Sequence, residues 1–354
     1  MTYVTGVLTA PYARSEQHRQ ERRMAVMVVG GAGYIGSVTV RALLRAGRTV
    51  VVYDDLSTGF RAAVPAGVAF EQGSTHDAAR VERLVADYGV DVAIHFAAKK
   101  AAGDSMFQPG HYFAENVAGT NTLLDAVRRA GVNKVVFSSS AAVYGNVTSL
   151  PIGEDAPKQP ENPYGESKLM VEQMLRWYDT CHSLRSVSLR YFNAAGAADD
   201  GEVGEDFAQS TNLVPVLMKA VLGKRPPLEI FGTDYPTRDG SAVRDYIHVE
   251  DLATGHVKAV EYLERGGATT AINLGTSRGS SVWEIIRAAE AVIGGSVPYV
   301  ESPRRAGDAV ELYADISRAR ELLGWEPVRG IAEIMDSEWK WRQRRPGGFL
   351  GALN

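Results

Sequence analysis

Cysteine, long apolar runs and an excess of basic residues are all missing or scarce in this chain of 354 residues. A single cysteine, Cys181, excludes a disulfide within the chain and favours a reducing compartment such as the cytoplasm. No apolar run reaches the about 20 residues of a transmembrane helix. A formal net charge of −4 gives no footprint for nucleic acid or an anionic membrane. No Cys/His group has metal-ligand spacing, so we expect no metal site.

The apolar content of 45% is enough for a large core in one or two domains. Residues 1–23 differ from the rest, because they are partly dense in charged and amide side chains and lack the basic start and apolar core of a secretory signal. We expect either a disordered extension or an upstream alternative start there, with Met24 as a natural first residue.

A glycine-rich segment follows the first predicted strand. Residues 26–36 read Val-Met-Val-Val-Gly-Gly-Ala-Gly-Tyr-Ile-Gly, which places Gly30, Gly33 and Gly36 at every third position. Such glycines allow a tight turn, close approach of the backbone to a pyrophosphate, and close packing of helix on strand. The next helix start offers free N–H groups to phosphates. The segment therefore predicts a dinucleotide-binding turn.

An acid at the end of the second predicted strand indicates which dinucleotide binds. Asp54 lies close to the roughly 20-residue offset at which an acid meets the adenosine ribose. A carboxylate there hydrogen-bonds the ribose 2′-hydroxyl and repels a 2′-phosphate, so we expect NAD rather than NADP.

Strand-like and helix-like segments alternate up to about residue 192, which is typical of a parallel sheet covered by helices. After about residue 195 the pattern becomes irregular. We therefore expect an α/β fold: a Rossmann-type doubly wound parallel sheet that binds NAD over residues 24–195, and a smaller C-terminal α/β lobe for the substrate over 196–354. Some segments of that lobe should return to the first domain, and residues 243–255 look like a buried sheet element. The predicted strands are 25–29, 49–53, 68–72, 91–96, 134–139 and 186–191, and the predicted helices are 37–46, 76–88, 111–130 and 164–179.

Tyr164 and Lys168 stand four residues apart at the predicted start of a helix, so both side chains lie on one face. Pro163 suits the first helical turn, and Glu161 or Asn162 could cap it. A nearby ammonium lowers the pKa of a phenol, which then can act as a base near neutral pH. By itself this spacing is common on solvated helices; the glycine-rich turn in the same predicted domain favours the catalytic interpretation.

These motifs, taken in chain order, resemble those of the extended short-chain dehydrogenase/reductase family and, within it, the UDP-glucose 4-epimerases. The resemblance covers nearly all of residues 25–345. Besides the glycine turn, it rests on Phe-Ala-Ala-Lys-Lys at 96–100, Ser-Ser-Ser-Ala-Ala-Val-Tyr-Gly at 138–145, Asn-Pro-Tyr-Gly-Glu-Ser-Lys at 162–168, Arg-Tyr-Phe-Asn at 190–193, Asn-Leu-Val-Pro at 212–215 and Val-Arg-Asp-Tyr-Ile-His-Val at 243–249.

The resemblance implies a 4-epimerase of UDP-hexoses that holds NAD and passes through a 4-keto sugar. Tyr164 would take the proton of the sugar 4-hydroxyl, Lys168 would hold the nicotinamide ribose, and Ser140 would align the same sugar oxygen. The implied cofactor residues are Gly30, Gly33, Tyr34, Ile35, Gly36, Asp54, Asp55, Leu56, Ser57, Thr58, Gly59, Ser74, Thr75, Phe96, Ala97, Ala98, Lys100, Asn116, Ser138, Tyr164, Lys168 and Phe192. The implied substrate residues are Lys100, Ser140, Tyr164, Asn193, Asn212, Leu213, Phe231, Arg244, Arg305, Asp308 and Leu312.

Three positions depart from the family pattern. Val29 replaces a threonine before the glycines, and Ser74 replaces an aspartate that meets adenine, which weakens that contact by about 1 kcal/mol. Leu312 stands where a tyrosine would exclude N-acetyl sugars and a small residue would admit them, so activity on N-acetyl sugars is an open expectation.

Other functions remain possible from the sequence. UDP-N-acetylglucosamine, UDP-xylose/arabinose or UDP-glucuronate 4-epimerisation differ from the main prediction only around the sugar. A sugar 4,6-dehydratase needs an acid pair after the serine, where Ala141 and Ala142 stand. A silent NAD-binding scaffold is a remote alternative, because both Tyr164 and Lys168 are present. By analogy with the family we expect a homodimer through helices 111–130 and 164–179, and no nucleic-acid or membrane partner.

Overall fold

The computed structural model describes residues 25–147, 149–207, 210–305 and 308–349. The predicted extension at 1–23 lies outside the described residues. The strands are β1 Ala25–Val29, β2 Thr49–Asp54, β3 Ala69–Gln72, β4 Val90–His95, β5 Lys134–Ser138, β6 Arg185–Tyr191, β7 Asn193–Ala195, β8 Leu228–Phe231, β9 Val243–Arg244, β10 Tyr246–His248, β11 Thr270–Leu274, β12 Ser280–Ser281, β13 Tyr299–Ser302 and β14 Glu311–Leu312.

Helices fill the connections between most of these strands. The α-helices are α1 Tyr34–Arg45, α2 Ala78–Tyr88, α3 Ala102–Ser105, α4 Pro109–Tyr112, α5 Gly119–Arg129, α6 Pro163–His182, α7 Leu213–Val221, α8 Val249–Glu264, α9 Val282–Ile293 and α10 Ile331–Arg344. Short 3₁₀ turns cover Arg61–Ala63 and Ala141–Val143, and π-helical turns cover Phe113–Ala118 and Ala319–Leu323.

Seven strands of the described residues form one parallel sheet in the order β11-β6-β5-β4-β1-β2-β3. Every residue of β1 is buried, as expected for a strand with helices on both faces. One face carries an apolar cluster with Leu43 of α1 and Leu252 of α8, and the other carries a cluster with Val81 of α2, Leu124 of α5 and Leu175 of α6. The predicted Rossmann-type α/β sheet is confirmed.

The chain returns to the main sheet through two elements: residues 243–255 lead into α8, which packs on one face of the sheet, and β11 joins the sheet as a strand. Residues 243–255 are not a single sheet element: they divide into β9, β10 and the start of α8. Asp245 interrupts the strand because its buried carboxylate accepts hydrogen bonds from the backbone of Thr276 and Ala314. The returning strand is β11, which pairs with β6.

The remaining strands and helices build a smaller lobe around its own core. Leu217 of α7, Ile285 of α9 and Ile334 of α10 belong to one buried apolar cluster. Trp339 packs at its edge, and Trp341 is fully buried in the cluster beneath the main sheet. Both tryptophans therefore pack in cores, and α10 joins the lobe to the sheet.

One predicted helix is irregular. Residues 111–130 were expected to form a single helix, but the structure has α4, a π-helical turn and then α5. The π turn contains Asn116, which is buried. A single extra residue per turn leaves no periodic signal that a sequence pattern could detect.

Candidate active site

A cavity of about 500 Å³ lies at the carboxyl ends of the parallel strands, where sheets of this kind bind ligands. The glycine-rich turn after β1, the loops after β4 and β5, and the start of α6 all contribute to its wall. The predicted residues that line it are Gly30, Gly33, Tyr34, Ile35, Gly36, Asp54, Asp55, Ser57, Thr58, Gly59, Thr75, Phe96, Ala97, Ala98, Lys100, Ser138, Ser140, Tyr164, Lys168, Phe192, Asn193 and Asn212.

The three glycines of the turn have different neighbours. Gly30 has a φ of +80°, and a Cβ on it would lie 2.6 Å from the amide nitrogen of Ala97. A Cβ on Gly36 would lie 2.2 Å from the carbonyl oxygen of Gly30. A Cβ on Gly33 would lie 3.4 Å from that same oxygen, which is an ordinary contact, and Gly33 lines the cavity. Gly30 and Gly36 are therefore required by the fold, whereas Gly33 leaves room for a ligand.

Asp54 fastens this turn to the end of β2. Its carboxylate accepts hydrogen bonds from the amides of Ala32 at 2.9 Å and Leu56 at 2.8 Å. Burial raises the pKa of Asp54, and the two amides oppose that rise. The group lines the cavity, so it is placed to meet a ribose hydroxyl. Together with the open Cβ position of Gly33, this arrangement fits the adenosine half of NAD.

The predicted catalytic side chains converge at the start of α6. Pro163 occupies the first helical turn, and the side chain of Asn162 caps it by accepting from the amide of Gly165 at 2.9 Å. Of the two predicted caps, the structure uses Asn162. The Nζ of Lys168 donates to the carbonyl of Ser138 at 2.8 Å and lies 5.8 Å from the ring centre of Tyr164.

Burial controls the protonation of both side chains. It raises the pKa of the Tyr164 phenol, and the hydrogen bond with Ser140 acts in the lowering direction. Burial also lowers the pKa of Lys168 to about 7, while the charge of Glu172 opposes that fall. Burial therefore leaves the phenol pKa raised in the chain alone, and a lowering of that pKa by Lys168 stays a prediction.

Three predicted cofactor residues do not line the cavity. Leu56 adopts a φ of +61° and gives its amide to Asp54. The hydroxyl of Ser74 accepts from the amide of His76. Asn116 is buried, and its side chain hydrogen-bonds both backbone groups of Lys99. These side chains support the loops of the wall, and a direct contact of theirs with the cofactor stays a prediction.

Most predicted substrate residues of the smaller lobe also lie outside the cavity wall, in a separate group. The guanidinium of Arg305 stacks 3.8 Å from the ring centre of Phe231, and Arg244 pairs with Asp308 at 3.8 Å. The Asp308 amide donates to the Arg305 carbonyl, which connects the two contacts. Leu312 belongs to the same group, because it pairs with Arg244 between β14 and β9. Leu213 begins α7 and packs against the core of the smaller lobe.

Glu205 is a cavity residue that the sequence did not single out. Its carboxylate, 3% exposed, accepts from the Nζ of Lys100 at 2.7 Å. It also accepts from the side chain of Asn212 at 3.1 Å. Glu205 thus connects two predicted ligand-binding residues across the cavity. It follows several other acids in the segment 196–206, so no local signal distinguished it.

Among the described residues, no group of three or more His, Cys, Asp or Glu side chains is arranged to hold a metal ion. No helix within that part of the chain is long and apolar enough to span a membrane.

The fold and the cavity define a dinucleotide-binding enzyme of the short-chain dehydrogenase type. The sequence model of the NAD dependent epimerase/dehydratase family matches residues 26–275, and the chain belongs to this family. A UDP-glucose 4-epimerase of Azospirillum brasilense is 51% identical over 319 residues, which are 90% of this chain and 92% of the relative. The resemblance to UDP-glucose 4-epimerases is thereby confirmed.

Two solved structures extend the comparison. UDP-glucose 4-epimerase from Brucella ovis in complex with NAD is 46% identical, with a TM-score of 0.87 over 89% of this chain and 97% of that one. The UDP-Glc/GlcNAc 4-epimerase of Campylobacter jejuni is 36% identical, with a TM-score of 0.81 over 91% of this chain and 99% of that one.

Proposed function

We propose that the chain is an NAD-dependent 4-epimerase of UDP-hexoses that interconverts UDP-glucose and UDP-galactose. The observation that carries this proposal is the single cavity lined both by the glycine turn with Asp54 and by Tyr164, Ser140 and Lys168. A nucleotide cofactor and the reacting carbon of a sugar can therefore lie next to each other in this one cavity. The relatives' activity on UDP-glucose supports the same substrate class.

Each catalytic side chain has a defined task in this reaction. Bound NAD supplies the acceptor and donor of hydride at carbon 4 of the sugar. Tyr164 takes the proton of the 4-hydroxyl and returns it to the same oxygen after the 4-keto sugar has turned over, so that the opposite face of carbon 4 receives the hydride. The Ser140 hydroxyl, which hydrogen-bonds the phenol, aligns that oxygen. Lys168 holds the nicotinamide ribose, and its charge acts together with the oxidised ring to favour the phenolate.

An epimerase must hold the nucleotide firmly and the sugar loosely, because the 4-keto sugar has to turn over within the site. We propose that Arg244 and Arg305 hold the uridine diphosphate, since a guanidinium matches phosphate oxygens in a bidentate way. Each is at present paired with a group of the protein itself, Asp308 and Phe231. Movement of these pairs toward the cavity would complete the substrate site.

A direct assay tests this function. The purified chain is incubated with UDP-galactose and no added NAD, and the sugar nucleotides are separated by chromatography. UDP-glucose is the expected product, because a cofactor that is regenerated in each cycle does not need to leave. Absence of conversion, with and without added NAD, would contradict the proposal.

A second substrate class is suggested by Leu312. This half-buried side chain shares an apolar cluster with Ala141 and Phe192, and Phe192 lines the cavity. The position lacks the ring and hydroxyl that would close the space beside carbon 2 of the sugar. We therefore propose a secondary activity on UDP-N-acetylhexosamines, the class that the name of the Campylobacter jejuni relative includes.

We also propose a homodimer that forms through residues 111–130 and 164–179, which contain α5 and most of α6. Met170 and Trp177 are seven residues apart on α6, so they share one face, and they are 37% and 65% exposed. Exposed apolar groups on a single helix face favour a contact with a second copy. Trp177→Glu should shift the sedimentation coefficient from dimer to monomer, and an unchanged dimer would exclude this face.

A further inference from the structure

A buried ion pair lies directly beneath the catalytic side chains. Glu172 of α6 and Arg190 of β6 are only 9% and 5% exposed. The guanidinium donates to both carboxylate oxygens, with distances of 2.9 Å and 2.5 Å. Neither residue lines the cavity. The pair connects the helix that carries Tyr164 and Lys168 to the main sheet.

The same carboxylate also holds the end of β5. Glu172 accepts a hydrogen bond from the hydroxyl of Ser139 at 2.5 Å. Ser139 stands between Ser138, whose carbonyl receives the Lys168 ammonium, and Ser140, which hydrogen-bonds the phenol of Tyr164. One buried carboxylate therefore fixes the residue between both contacts of the catalytic pair.

The other polar atoms of this network are also satisfied. Arg190 donates to the phenol oxygen of Tyr144 at 2.9 Å and to the carbonyl of Glu154 at 3.0 Å. The Tyr144 hydroxyl donates to the side chain of Asn273 at 2.6 Å. Buried ion pairs add little stability compared with apolar groups of the same shape, and breaking one is costly. A positional role explains such a pair better than a contribution to stability.

Glu172 also faces the lysine of the catalytic pair. Lys168 and Glu172 are one helical turn apart on α6, and the charge of Glu172 raises the pKa of Lys168 against the effect of burial. On β4, burial and Lys168 lower the pKa of His95 to about 3, so this imidazole is neutral. Burial raises the pKa of Tyr112, so that phenol from α4 is neutral as well.

The groups of β6 complete the surroundings. Burial raises the pKa of Tyr191 well above neutrality, and Arg190 is bound within its pair. Burial and, to a smaller extent, the charge of Arg190 lower the pKa of Lys158, whereas the charge of Glu172 raises it. Among these described neighbours, Glu172 is the carboxylate whose negative charge favours the protonated form of Lys168.

We propose that Glu172 is a positioning residue for the epimerase reaction, which fixes residues 138–140 and supplies the negative charge that Lys168 faces. It acts through Ser139 and Lys168 and touches neither substrate nor cofactor. This inference rests on the proposed function, since the charge of Lys168 matters only if that lysine assists Tyr164.

Glu172→Gln tests the inference, with Glu338→Gln as the matched control. Glu338 forms a buried ion pair with Arg342, at 1% and 0% exposure, on α10 and away from the catalytic pair. The pH profile of kcat for UDP-galactose is measured for both variants. In Glu172→Gln the alkaline limb should move to lower pH by about one unit, because Lys168 loses its proton more readily. In Glu338→Gln it should stay in place.

A second measurement does not depend on turnover. The chain is labelled with [¹³C]lysine, the Lys168 signal is assigned by its loss in Lys168→Met, and its titration is followed by NMR. Its pKa should fall in Glu172→Gln and remain unchanged in Glu338→Gln. If Glu172→Gln does not fold, the double variant Glu172→Gln/Arg190→Met removes both charges and should show a shift in the same direction.

Two results separate the possible failures. A Glu172→Gln profile that superimposes on the wild-type profile at lower amplitude, with an unchanged Lys168 titration, would overturn the inference and leave only a structural role. A wild-type protein without epimerase activity would instead count against the proposed function, and the lysine titration would still decide the role of Glu172.

Discussion

At the residue scale, burial sets the protonation of two catalytic side chains, Tyr164 and Lys168. Both side chains are desolvated, which raises the pKa of the Tyr164 phenol and lowers the pKa of Lys168. Both shifts favour the neutral form of the group. Ser140 is the group that opposes this effect at the phenol. The chain alone therefore keeps the proton on Tyr164, and ionisation of the phenol becomes favourable when a further positive charge enters the cavity.

Removal of the phenol oxygen tests the role of Tyr164. Tyr164→Phe should lower kcat by about 10²–10⁴-fold, which is the usual range for the loss of a general acid–base group. Tyr178→Phe is the matched control: it lies on the same helix, and its hydroxyl bonds to Asn121 instead of facing the cavity. Steady-state assays with UDP-galactose give both values. Equal activity of the two variants would exclude Tyr164 as the acid–base group.

Leu312 sets a prediction on sugar choice. Leu312→Tyr should reduce kcat/KM for UDP-N-acetylgalactosamine by at least about 10-fold and leave UDP-galactose turnover nearly unchanged, because the added ring occupies space beside carbon 2. When two substrates differ by a small group in a pocket, the difference in their transition-state binding free energy is about 1–3 kcal/mol. Competition assays with both substrates measure the ratio. The same proportional change for both sugars would show that this position does not select between them.

At the element scale, different glycines of the turn between β1 and α1 serve folding and ligand binding. A methyl group on Gly36 would meet the Gly30 carbonyl at 2.2 Å, whereas one on Gly33 has ordinary contact with the protein and points into the cavity. Gly33 also has a φ of −78°, which alanine adopts without strain. Alanine at Gly33 should therefore weaken ligand binding, whereas alanine at Gly36 should lower the stability of the fold.

Gly33→Ala should melt at a temperature close to that of the wild type and bind NAD much more weakly. Gly36→Ala should lose several degrees in Tm, because the backbone of the turn has to move. Gly110→Ala, exposed and with no atom near its added methyl group, is the control and should change neither property. Calorimetry gives the melting temperatures and titration with NAD the affinities. Normal NAD affinity in Gly33→Ala would contradict the placement of the pyrophosphate at this turn.

At the scale of the whole molecule, buried histidines make the fold sensitive to acid. Burial lowers the pKa of His256 to about 4, and the Nε2 of this ring has no hydrogen-bond partner among the described residues. Between about pH 6.5 and pH 4, His256 binds a proton in the unfolded chain and stays neutral in the folded chain. Stability from this group is therefore complete above about pH 6.5 and is lost as the pH falls toward 4.

His256→Phe should remove this part of the acid sensitivity. The ring packs at a tilt against Phe96, with 4.6 Å between centroids, so an aromatic replacement keeps the contact. Between pH 7.5 and pH 5 the wild type should lose about 2 kcal/mol more of its unfolding free energy than the variant. Urea denaturation at the two pH values measures the difference. Equal losses would mean that His256 does not titrate as burial implies.

Much of this architecture could be predicted from the sequence, because the relevant signals are local. The apolar run before Gly30 predicts β1, and the four-residue spacing of Tyr164 and Lys168 predicts one helix face. Glu205 could not be predicted, since its importance comes from Lys100, which is 105 residues away along the chain. The strand β11 was missed for a similar reason, because its partner β6 is distant in sequence.

Isotope tracing at carbon 4 follows the hydrogen atom that the proposed epimerisation moves. UDP-galactose deuterated at carbon 4 is incubated with the purified chain in ordinary water, and the product is examined by NMR and mass spectrometry. The UDP-glucose formed should still carry deuterium at carbon 4, since hydride held by the bound cofactor does not exchange with solvent. UDP-glucose with ordinary hydrogen at carbon 4 would contradict this mechanism.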